Sequence, residues 1–431
     1  MSAQELRARI DELSIEIDLQ KEILKKLERD RSLARRQLNA VVDPVARLPL
    51  EISSKIFLKS LNQSVVPQPA ELVLLLNICN SWTNIALSTP DLWTSFRIDF
   101  PCPKGVVHAL PFWFGRASNC PVSLFLTGNL TAFKFDAGVS AIIWEHGGQL
   151  KCLNIYDKQP PYEDPDLNII DLFDDETTPR PLPLLERLKV GTLHEGRVFS
   201  APQIFRLLSL APKIDTCIFD KIVRWDNLDF APDKLVVPTL GQLVFGDLGG
   251  YPDGDADVLD HLSLPALEAL SVSIATKRDE LRLSSFLRRS SPPLQVLALG
   301  LPYNLPDPIQ PHISLHLIPS LVRLKLHAPM QSVADFFAAL AEAPSLLPNL
   351  HTLTIDSMAL DSPSISASSW RTLLRVLSAR RIQIRITSVT EPPVDVLAAL
   401  RELAVDGPQI YVGNTERNFV DSLSGEVVFL A

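Results

Sequence analysis

Two stretches of this sequence combine side chains and spacing that suggest ligand chemistry, one for calcium and one for phosphate. Asp253-Gly254-Asp255-Ala256-Asp257 begins like a calcium loop. Such a loop needs Gly at its sixth position and Glu at its twelfth, but Val258 and Leu264 stand there. The glycines between Gly246 and Gly250 lack the Lys-Ser/Thr pair of a phosphate-binding loop. Neither stretch predicts a site.

Histidine and cysteine, the usual zinc ligands and nucleophiles, also form no recognisable site. His312 and His316 are four residues apart, but no Glu follows His312, as a zinc-protease helix requires. The cysteines are scattered and never in Cys-x-x-Cys spacing, which is typical of reduced core residues in an intracellular protein. They are Cys79, Cys102, Cys120, Cys152 and Cys217. With no nucleophile or acid–base pair in one constellation, we predict a protein that is not an enzyme and has no metal or cofactor.

Composition narrows the classes of partner. The chain is 46% apolar and 21% charged with a formal net charge of −9, so most of it is expected to fold. General nucleic-acid binding needs a basic surface and is not expected. The N-terminus is too charged for a secretory signal, and no uninterrupted apolar run is as long as a membrane span. We therefore expect a cytoplasmic or nuclear protein with no nucleic-acid or membrane partner.

An eight-residue pattern recurs along the chain between Gly148 and Ile355. Pro-x-Leu-x-x-Leu-x-apolar occurs as Pro183 to Val190 and in seven further copies, two of them looser. The second Leu position falls at Leu153, Leu188, Cys217, Leu243, Leu270, Leu297, Leu324 and Leu353. The first step is 35 residues and the others are 26 to 29. A period in this range predicts stacked supersecondary units, which usually present a binding surface.

Each copy of the pattern predicts a strand whose two faces differ. Side chains alternate along a strand, so the Leu positions face the core and the residues on either side of the second Leu face an inner surface. That surface carries Arg187 and Lys189 at one end and Arg323 and Lys325 at the other, with a mostly uncharged stretch between them. One interpretation is a groove in which these four cations bind an acidic or phosphorylated target. The other is that small residues merely permit tight curvature.

The long step contains an acidic stretch from Asp157 to Arg180. Eight acids stand there against two bases, Lys158 and Arg180. Two interpretations stay open: a solvated surface loop, or an acidic arm that meets a basic partner.

Residues 3–40 contain no Pro or Gly and predict one long charged helix with a heptad seam. The apolar seam positions are Leu6, Ile10, Leu13, Ile17, Leu24, Leu27 and Leu38, with Gln20, Arg31 and Ala34 in the remaining slots. The seam predicts either a coiled coil that pairs two copies into a homodimer or a helix that folds back on its own chain or pairs only weakly. Asp43-Pro44 ends the helix, since Pro cannot continue it.

Residues 44–95 predict a small helical module that carries a known motif. Leu48-Pro49-Leu50-Glu51-Ile52 opens a helix that continues through Ile56-Phe57, and a second helix carries Ile78-Cys79-Asn80-Ser81-Trp82. These residues resemble the F-box motif, whose pattern is Leu-Pro-x-Glu-Ile, a helix, and then Val-Cys-Arg-x-Trp. Asn80 departs from that pattern, which usually has Arg or Lys there, and so weakens an expected charge contact.

The order of heptad helix, F-box and degenerate leucine-rich repeats resembles the large F-box group of mushroom-forming fungi. The resemblance implies a substrate-recognition subunit of a Skp-cullin-F-box ubiquitin ligase, with the F-box on the Skp adaptor and the repeats on an unknown target protein. It implies adaptor-binding roles for Leu48, Pro49, Leu50, Ile52, Ile56, Phe57, Ile78, Cys79 and Trp82. The alternative is a non-catalytic repeat scaffold outside any ubiquitin ligase.

The predicted fold class is therefore α/β, in three parts. A heptad helix (1–43) and a small all-α F-box module (44–95) precede a leucine-rich-repeat-like solenoid, or horseshoe, with a C-terminal cap (96–431). The Asn that ladders many leucine-rich repeats is absent. Helices are predicted at 106–117, 200–210, 332–343, 368–380 and 393–405, and capping strands at 410–412 and 427–430.

Overall fold

A computed structural model shows the protein as a mixed α/β structure. The chain separates into two compact units: residues 1–97 with 108–124, and residues 98–107 with 125–431. The predicted strand at 427–430 lies outside the described residues. The structure describes residues 3–61, 69–130, 137–163, 168–173, 179–194, 196–220, 234–246, 248, 255–301, 312–357, 365–405, 409–414 and 417–420.

The first unit is mainly helical. The single helix predicted across Ile78 to Trp82 is in fact two helices. Cys79 separates them with an extended backbone, φ −158° and ψ 169°, although its neighbours on both sides are helical. A break of this kind leaves the last carbonyls of the preceding helix without intrahelical donors. The helices are α1 (Ala3–Val42), α2 (Leu50–Leu61), α3 (Pro69–Ile78), α4 (Asn80–Leu87) and α5 (Val106–Ala117).

Side chains from elsewhere in the unit supply the missing donors at the end of α3. Arg36 Nη2 donates to the Leu76 carbonyl, and Asn39 Nδ2 donates to the Ile78 carbonyl at 3.0 Å. The Thr83 hydroxyl also donates to Leu76, at 2.8 Å. The C-terminal end of α1 is thereby bound to the helical module.

Aromatic side chains form the core of this unit. The rings of Phe57 and Trp82 lie 4.7 Å apart. Trp93 is buried, and its indole N–H donates to the Ala86 carbonyl at 2.9 Å. Pro90–Trp93 forms a 3₁₀ turn, and the following strand begins at Ser95.

One large sheet takes its strands in chain order, beginning with Ser95–Phe100 (β1), Val122–Gly128 (β2) and Leu150–Asp157 (β3). From β3 onward every neighbouring pair is parallel. These strands are β1 (Ser95–Phe100), β2 (Val122–Gly128), β3 (Leu150–Asp157), β5 (Arg187–Thr192), β7 (Thr216–Phe219), β9 (Gln242–Phe245), β11 (Ala269–Ser273), β12 (Val296–Gly300), β13 (Arg323–Ala328), β14 (Thr352–Ser357), β15 (Gln383–Thr387) and β16 (Ile410–Val412).

Two small parallel sheets lie in the connections. They pair β4 (Ile169–Ile170) with β6 (Val198–Phe199), and β8 (Leu235–Val236) with β10 (Leu262–Ser263).

The strand faces predicted from the repeats are confirmed. The second Leu positions pair with one another in an unbroken line from Leu153 on β3 to Leu353 on β14, and the line continues through Ile384 and Ile410. From Leu153 to Leu353 each of these side chains is at most 2% exposed. This line of side chains forms one wall of the core.

A recurrent main-chain hydrogen-bond pattern joins each repeat to the next. The carbonyl two residues before the second Leu position accepts two N–H groups of the following repeat. The Glu186 carbonyl accepts from Asp215 and Thr216, at 2.9 and 3.0 Å. We call this pair of hydrogen bonds to one carbonyl the main-chain fork. It recurs with the carbonyls of Asp215, Gly241, Glu268, Gln295 and Val322 as acceptors. Every donor and acceptor in it is a backbone group.

Helices between the strands supply the opposite wall of the core. The helices are α6 (Ala137–Glu145), α7 (Ala201–Leu210), α8 (Asp255–Asp260), α9 (Lys277–Ser290), α10 (His312–Leu315), α11 (Met330–Glu342), α12 (Ala367–Ala379) and α13 (Val394–Val405). Their buried residues recur three and four apart, the spacing of one helix face; α11, for example, buries Val333, Phe336, Phe337 and Leu340. Helix α11 packs on α12, and α12 packs on α13.

The first acid of the acidic stretch is not part of a solvated loop. Asp157 and Arg197 are both fully buried, with Arg197 Nε 2.9 Å from the Asp157 carboxylate. The other oxygen of Asp157 accepts from the Leu130 N–H at 2.8 Å, and the guanidinium of Arg197 lies 5.4 Å from the Tyr162 ring centre. This pair joins the end of β3 to the residue that precedes β6. Five of the eight acids lie outside the described residues.

Replacing Leu297 by Ala is expected to lower the free energy of unfolding by about 2–5 kcal/mol, since this Leu is fully buried and leaves a cavity. Urea denaturation measures the change. Val296→Ala is the control, because Val296 is the half-exposed neighbour on the other strand face, and it is expected to cost about 1 kcal/mol or less. Equal losses for the two variants would contradict the assigned faces.

Replacing Asp157 by Ala is expected to cost about 3–5 kcal/mol, because it leaves a buried guanidinium without its carboxylate. Glu186→Ala is the control: Glu186 pairs with Lys151 at 3.3 Å, but both side chains are nearly half exposed, and such a pair contributes about 1 kcal/mol or less. The double variant Asp157→Leu with Arg197→Met should recover part of the loss. Urea denaturation measures the free energy of unfolding of the wild type and the three variants. An Asp157→Ala variant as stable as the Glu186→Ala control would show that the buried pair is dispensable.

Candidate functional site

The helical module leaves several apolar side chains of its motif exposed. Helix α2 turns Ser53, Phe57 and Leu61 inward, and the Ser53 hydroxyl donates to the Val45 carbonyl at 3.1 Å. Ile52 and Ile56 lie one residue earlier, about 100° around the helix, and face solvent. We call the exposed apolar residues of the motif the module face; they are Leu48 (41% exposed), Pro49, Leu50 (45%), Ile52 (46%) and Ile56 (40%).

The remaining predicted adaptor-binding residues are buried or half-buried. Phe57 and Cys79 are 1% and 0% exposed, so they belong to the core of the module and not to its surface. Ile78 and Trp82 are half-buried. The Trp82 indole N–H is closed off from solvent and has no hydrogen-bond partner among the residues that the structure describes.

Helix α3 adds two exposed apolar residues that the motif did not indicate. Val73 is 45% exposed and Leu74 is 64% exposed. The signal was present in the sequence, since Val73-Leu74-Leu75-Leu76 is apolar on every side of a helix. A helix with that pattern on the surface of a small module leaves part of its apolar side chains in solvent.

At the start of the sheet, the first predicted pair of cations is exposed as expected. Arg187 and Lys189 both point away from the core on β5. The guanidinium of Arg187 is partly engaged within the protein, because its Nε lies 3.1 Å from the Cys152 sulfur on β3.

The second pair of cations belongs to a larger group than the repeats predicted. Strand register places Lys325, Thr354, Arg385 and Tyr411 in one row across four strands, and neighbouring strands lie about 4.8 Å apart. Arg323 lies in the adjacent row, next to Thr352. We call Arg323, Lys325 and Arg385 the cation ladder.

A groove of about 550 Å³ runs along the C-terminal end of the cation ladder. The Arg385 guanidinium lies 4.9 Å from the centre of the Tyr411 ring, a cation–π contact that holds both side chains in place. Hydroxyl and amide groups supply further donors around them. The polar residues that line the groove are Thr352, Thr354, Gln383, Arg385, Gln409, Tyr411 and Asn418.

The three cations of the ladder are not equivalent, because Asp356 offsets one of them. Lys325 Nζ and His327 Nε2 each lie 3.2 Å from the Asp356 carboxylate. Burial raises the pKa of this carboxyl, but hydrogen bonds from Thr387 and Lys325 and the charges of Lys325 and His327 outweigh it and lower the pKa. Asp356 therefore stays ionised and neutralises much of the charge of Lys325. Arg323 and Arg385 are both exposed, and Arg385 lines the groove.

The residues that might have suggested an enzyme have structural partners. Arg282 contacts Asp257, from the calcium-like stretch, and Asp260. Burial raises the pKa of the Cys217 thiol, so this cysteine is a core residue and not a nucleophile. Among the described residues, no three or more His, Cys, Asp or Glu side chains converge as a metal site would require, and no helix is long and apolar enough to cross a bilayer.

The module face and the cation ladder are therefore the two surfaces that carry a functional argument. They lie in different units, the module face in the first and the ladder in the second. Compared with known proteins, the chain matches no protein-family model and no curated sequence.

Proposed function

We propose that this protein is an F-box-type substrate-recognition subunit of a Skp-cullin-F-box ubiquitin ligase. The module face carries this proposal: four Leu and Ile side chains remain 40–46% exposed around the Leu-Pro-x-Glu-Ile motif. Scattered exposed apolar residues are ordinary, but several of them within one short motif favour a protein partner.

The internal packing of the module supports a docking role. Phe57, Trp82 and Trp93 fill its interior, so the module face contributes little to the folding of the module itself. Where the chain resembles the F-box motif, the Leu-Pro pair and the helix after it stand in the places that contact the Skp adaptor. Cys79, also part of the motif, would then act by breaking the helix and shaping the module.

The second unit is proposed to be a leucine-rich-repeat-like solenoid that holds the target protein. Support comes from the 26–29 residue period, the chain-order parallel sheet and the main-chain fork between repeats. The protein would perform no chemistry. Holding a target lysine near a ubiquitin carrier makes a bimolecular transfer nearly intramolecular.

Within the solenoid, we place the target at the cation ladder. Two exposed arginines beside Thr hydroxyls and a Tyr ring suit an acidic or phosphorylated peptide with an aromatic or apolar anchor, because guanidinium groups bind carboxylate and phosphate bidentately. The ladder stands out on a chain whose net charge is −9.

Replacing Leu48 and Pro49 by Ala is expected to abolish co-purification of the Skp adaptor, since anchors at the centre of an interface typically contribute about 2 kcal/mol or more each. Ile52→Asp with Ile56→Asp should do the same without unfolding the module, because both side chains are exposed. Leu281→Asp is the matched control, an exposed Leu (70%) outside the module. It should retain the adaptor.

A wild-type protein that does not capture the adaptor would contradict the ligase proposal. The runner-up, a repeat scaffold outside any ubiquitin ligase, would then be favoured. Retention of the adaptor by the Ile52→Asp, Ile56→Asp variant would instead place the interface elsewhere on the module.

Reversing the charge of the ladder with Arg323→Glu and Arg385→Glu is expected to leave adaptor capture intact and to remove target proteins, since interface charge governs specificity and association rate. Lys325→Ala should have a smaller effect, because Asp356 already offsets that charge. Proximity labelling compares the proteins near each variant. Arg371→Glu, the same charge change at an exposed position of α12, is the control. An identical set of labelled proteins for the ladder variant and the wild type would move the target site away from this groove.

A further inference from the structure

Helix α1 exposes the whole of its heptad seam. From Leu6 to Arg35 every side chain is exposed, and the seam residues Leu13, Ile17 and Leu24 are 41%, 53% and 57% exposed. The hydrogen bonds that join α1 to the carbonyls of α3 come from the end of the helix, at Arg36 and Asn39. Over the described residues the seam therefore does not fold back on its own chain, which was one of the alternatives that the sequence left open.

The residue types along the seam are those of a parallel pair of helices. Counting heptads from Leu6 at a d position, the first three a positions are Ile10, Ile17 and Leu24. The d positions include Leu6, Leu13 and Leu27. β-Branched residues at a combined with Leu at d favour two parallel strands.

The surface of the seam has a hollow that suits a side chain of a second helix. The hollow measures about 430 Å³, and its apolar walls come from Leu13, Ile17 and Leu24. In a coiled coil each seam side chain inserts into a hole formed by four residues of the facing helix. Glu16 and Lys21 border the same hollow. They occupy a g and an e position, the positions that flank the seam of a coiled coil.

Charges beside the seam are complementary between two copies in parallel register. In that arrangement a g residue meets the e residue five positions further along the partner helix. Glu16 then meets Lys21 of the second copy, and Asp30 meets Arg35, and two-fold symmetry repeats each pair. The other two meetings, Arg9 with Ser14 and Ile23 with Glu28, bring no like charges together. Within its own helix Lys21 pairs with Asp18, at 3.0 Å and largely exposed, a weak interaction that it can exchange.

Two polar seam residues restrict the number of helices. Gln20 occupies a d position and Arg31 an a position. In a two-stranded coil the polar ends of such side chains extend sideways to water while their stems pack. In a three- or four-stranded coil they would be enclosed, and an enclosed unpaired charge is costly. A polar residue at one such position also fixes register.

We propose that two copies of this chain associate through α1 as a parallel, in-register, two-stranded coiled coil over residues 6–38. The second copy is the occupant of the exposed seam. The association holds whether or not the module binds the Skp adaptor. It would give each assembly two modules and two target-binding surfaces, so that a target with two binding segments gains avidity.

The mass of the full-length protein in solution, by light scattering or sedimentation, tests the proposal. Wild type is expected at twice the mass of one chain. Ile17→Asp with Leu24→Asp should give single chains, because the seam carries both residues. Ile15→Asp with Leu19→Asp is the matched control: these residues are 73% and 60% exposed on the same helix but off the seam, and this variant should remain a dimer.

Each other result overturns the proposal. A wild-type mass of one chain rules out the pair, and a mass of three or four chains rules out two strands. Dissociation of the Ile15, Leu19 variant but not of the Ile17, Leu24 variant would assign the contact to another face. All four substitutions are at exposed positions, so circular dichroism should show the repeats folded in each variant.

Disulfide crosslinking separates parallel from antiparallel pairing. Leu6→Cys is expected to crosslink its own copy under mild oxidation, since the two Leu6 positions face each other only in a parallel, in-register pair. In an antiparallel pair centred on the seam they would be about 48 Å apart, at 1.5 Å rise per residue over 32 residues. Ala8→Cys, at the same end but on the outer side of the helix, and wild type with its native cysteines should not crosslink. A Leu6→Cys protein that is dimeric by mass yet never crosslinks would exclude the parallel arrangement.

Discussion

The main-chain fork between successive repeats is the interaction on which the second unit depends. One carbonyl of each repeat accepts two N–H groups of the next, and this recurs over six steps from Glu186 to Val322. The fork fixes the register of neighbouring strands, and the register in turn keeps the buried Leu positions in one line and the exposed positions in rows. Because a one-residue slip would turn every core side chain to the other face, the hydrogen bonds and the buried line reinforce each other.

A fork made of backbone atoms places little demand on side chains. Its acceptor residues are Glu186, Asp215, Gly241, Glu268, Gln295 and Val322, which share neither charge nor size. A side-chain ladder of Asn would instead require the same residue in every repeat. The architecture can therefore persist while most positions outside the Leu line change.

Much of the second unit could be predicted because its signals are local and repeated. The buried line from Leu153 to Leu353 could be predicted because every copy of the Pro-x-Leu pattern has an apolar residue at the same position. The break at Cys79 could not be predicted, because apolar residues continue across it at helical spacing and only the tertiary hydrogen bonds of Arg36, Asn39 and Thr83 make two short helices acceptable. The burial of Asp157 was hidden for a similar reason: its partner Arg197 lies 40 residues further on. At the cation ladder, Arg385 and Tyr411 follow the same alternation as Arg323 and Lys325, but they lie on strands beyond the last copy of the Pro-x-Leu pattern.

The hydrogen bonds from Arg36 and Asn39 give α1 mechanical significance. Residues 3–40 contain neither Pro nor Gly, and a helix of 40 residues is about 60 Å long. Such a helix is stiff, and hydrogen bonds from Arg36 and Asn39 fix its C-terminal end to the carbonyls of Leu76 and Ile78. Bending or twisting at its free end would be transmitted as torque to the end of α3, so that the orientation of α1 and the geometry of the helical module are coupled.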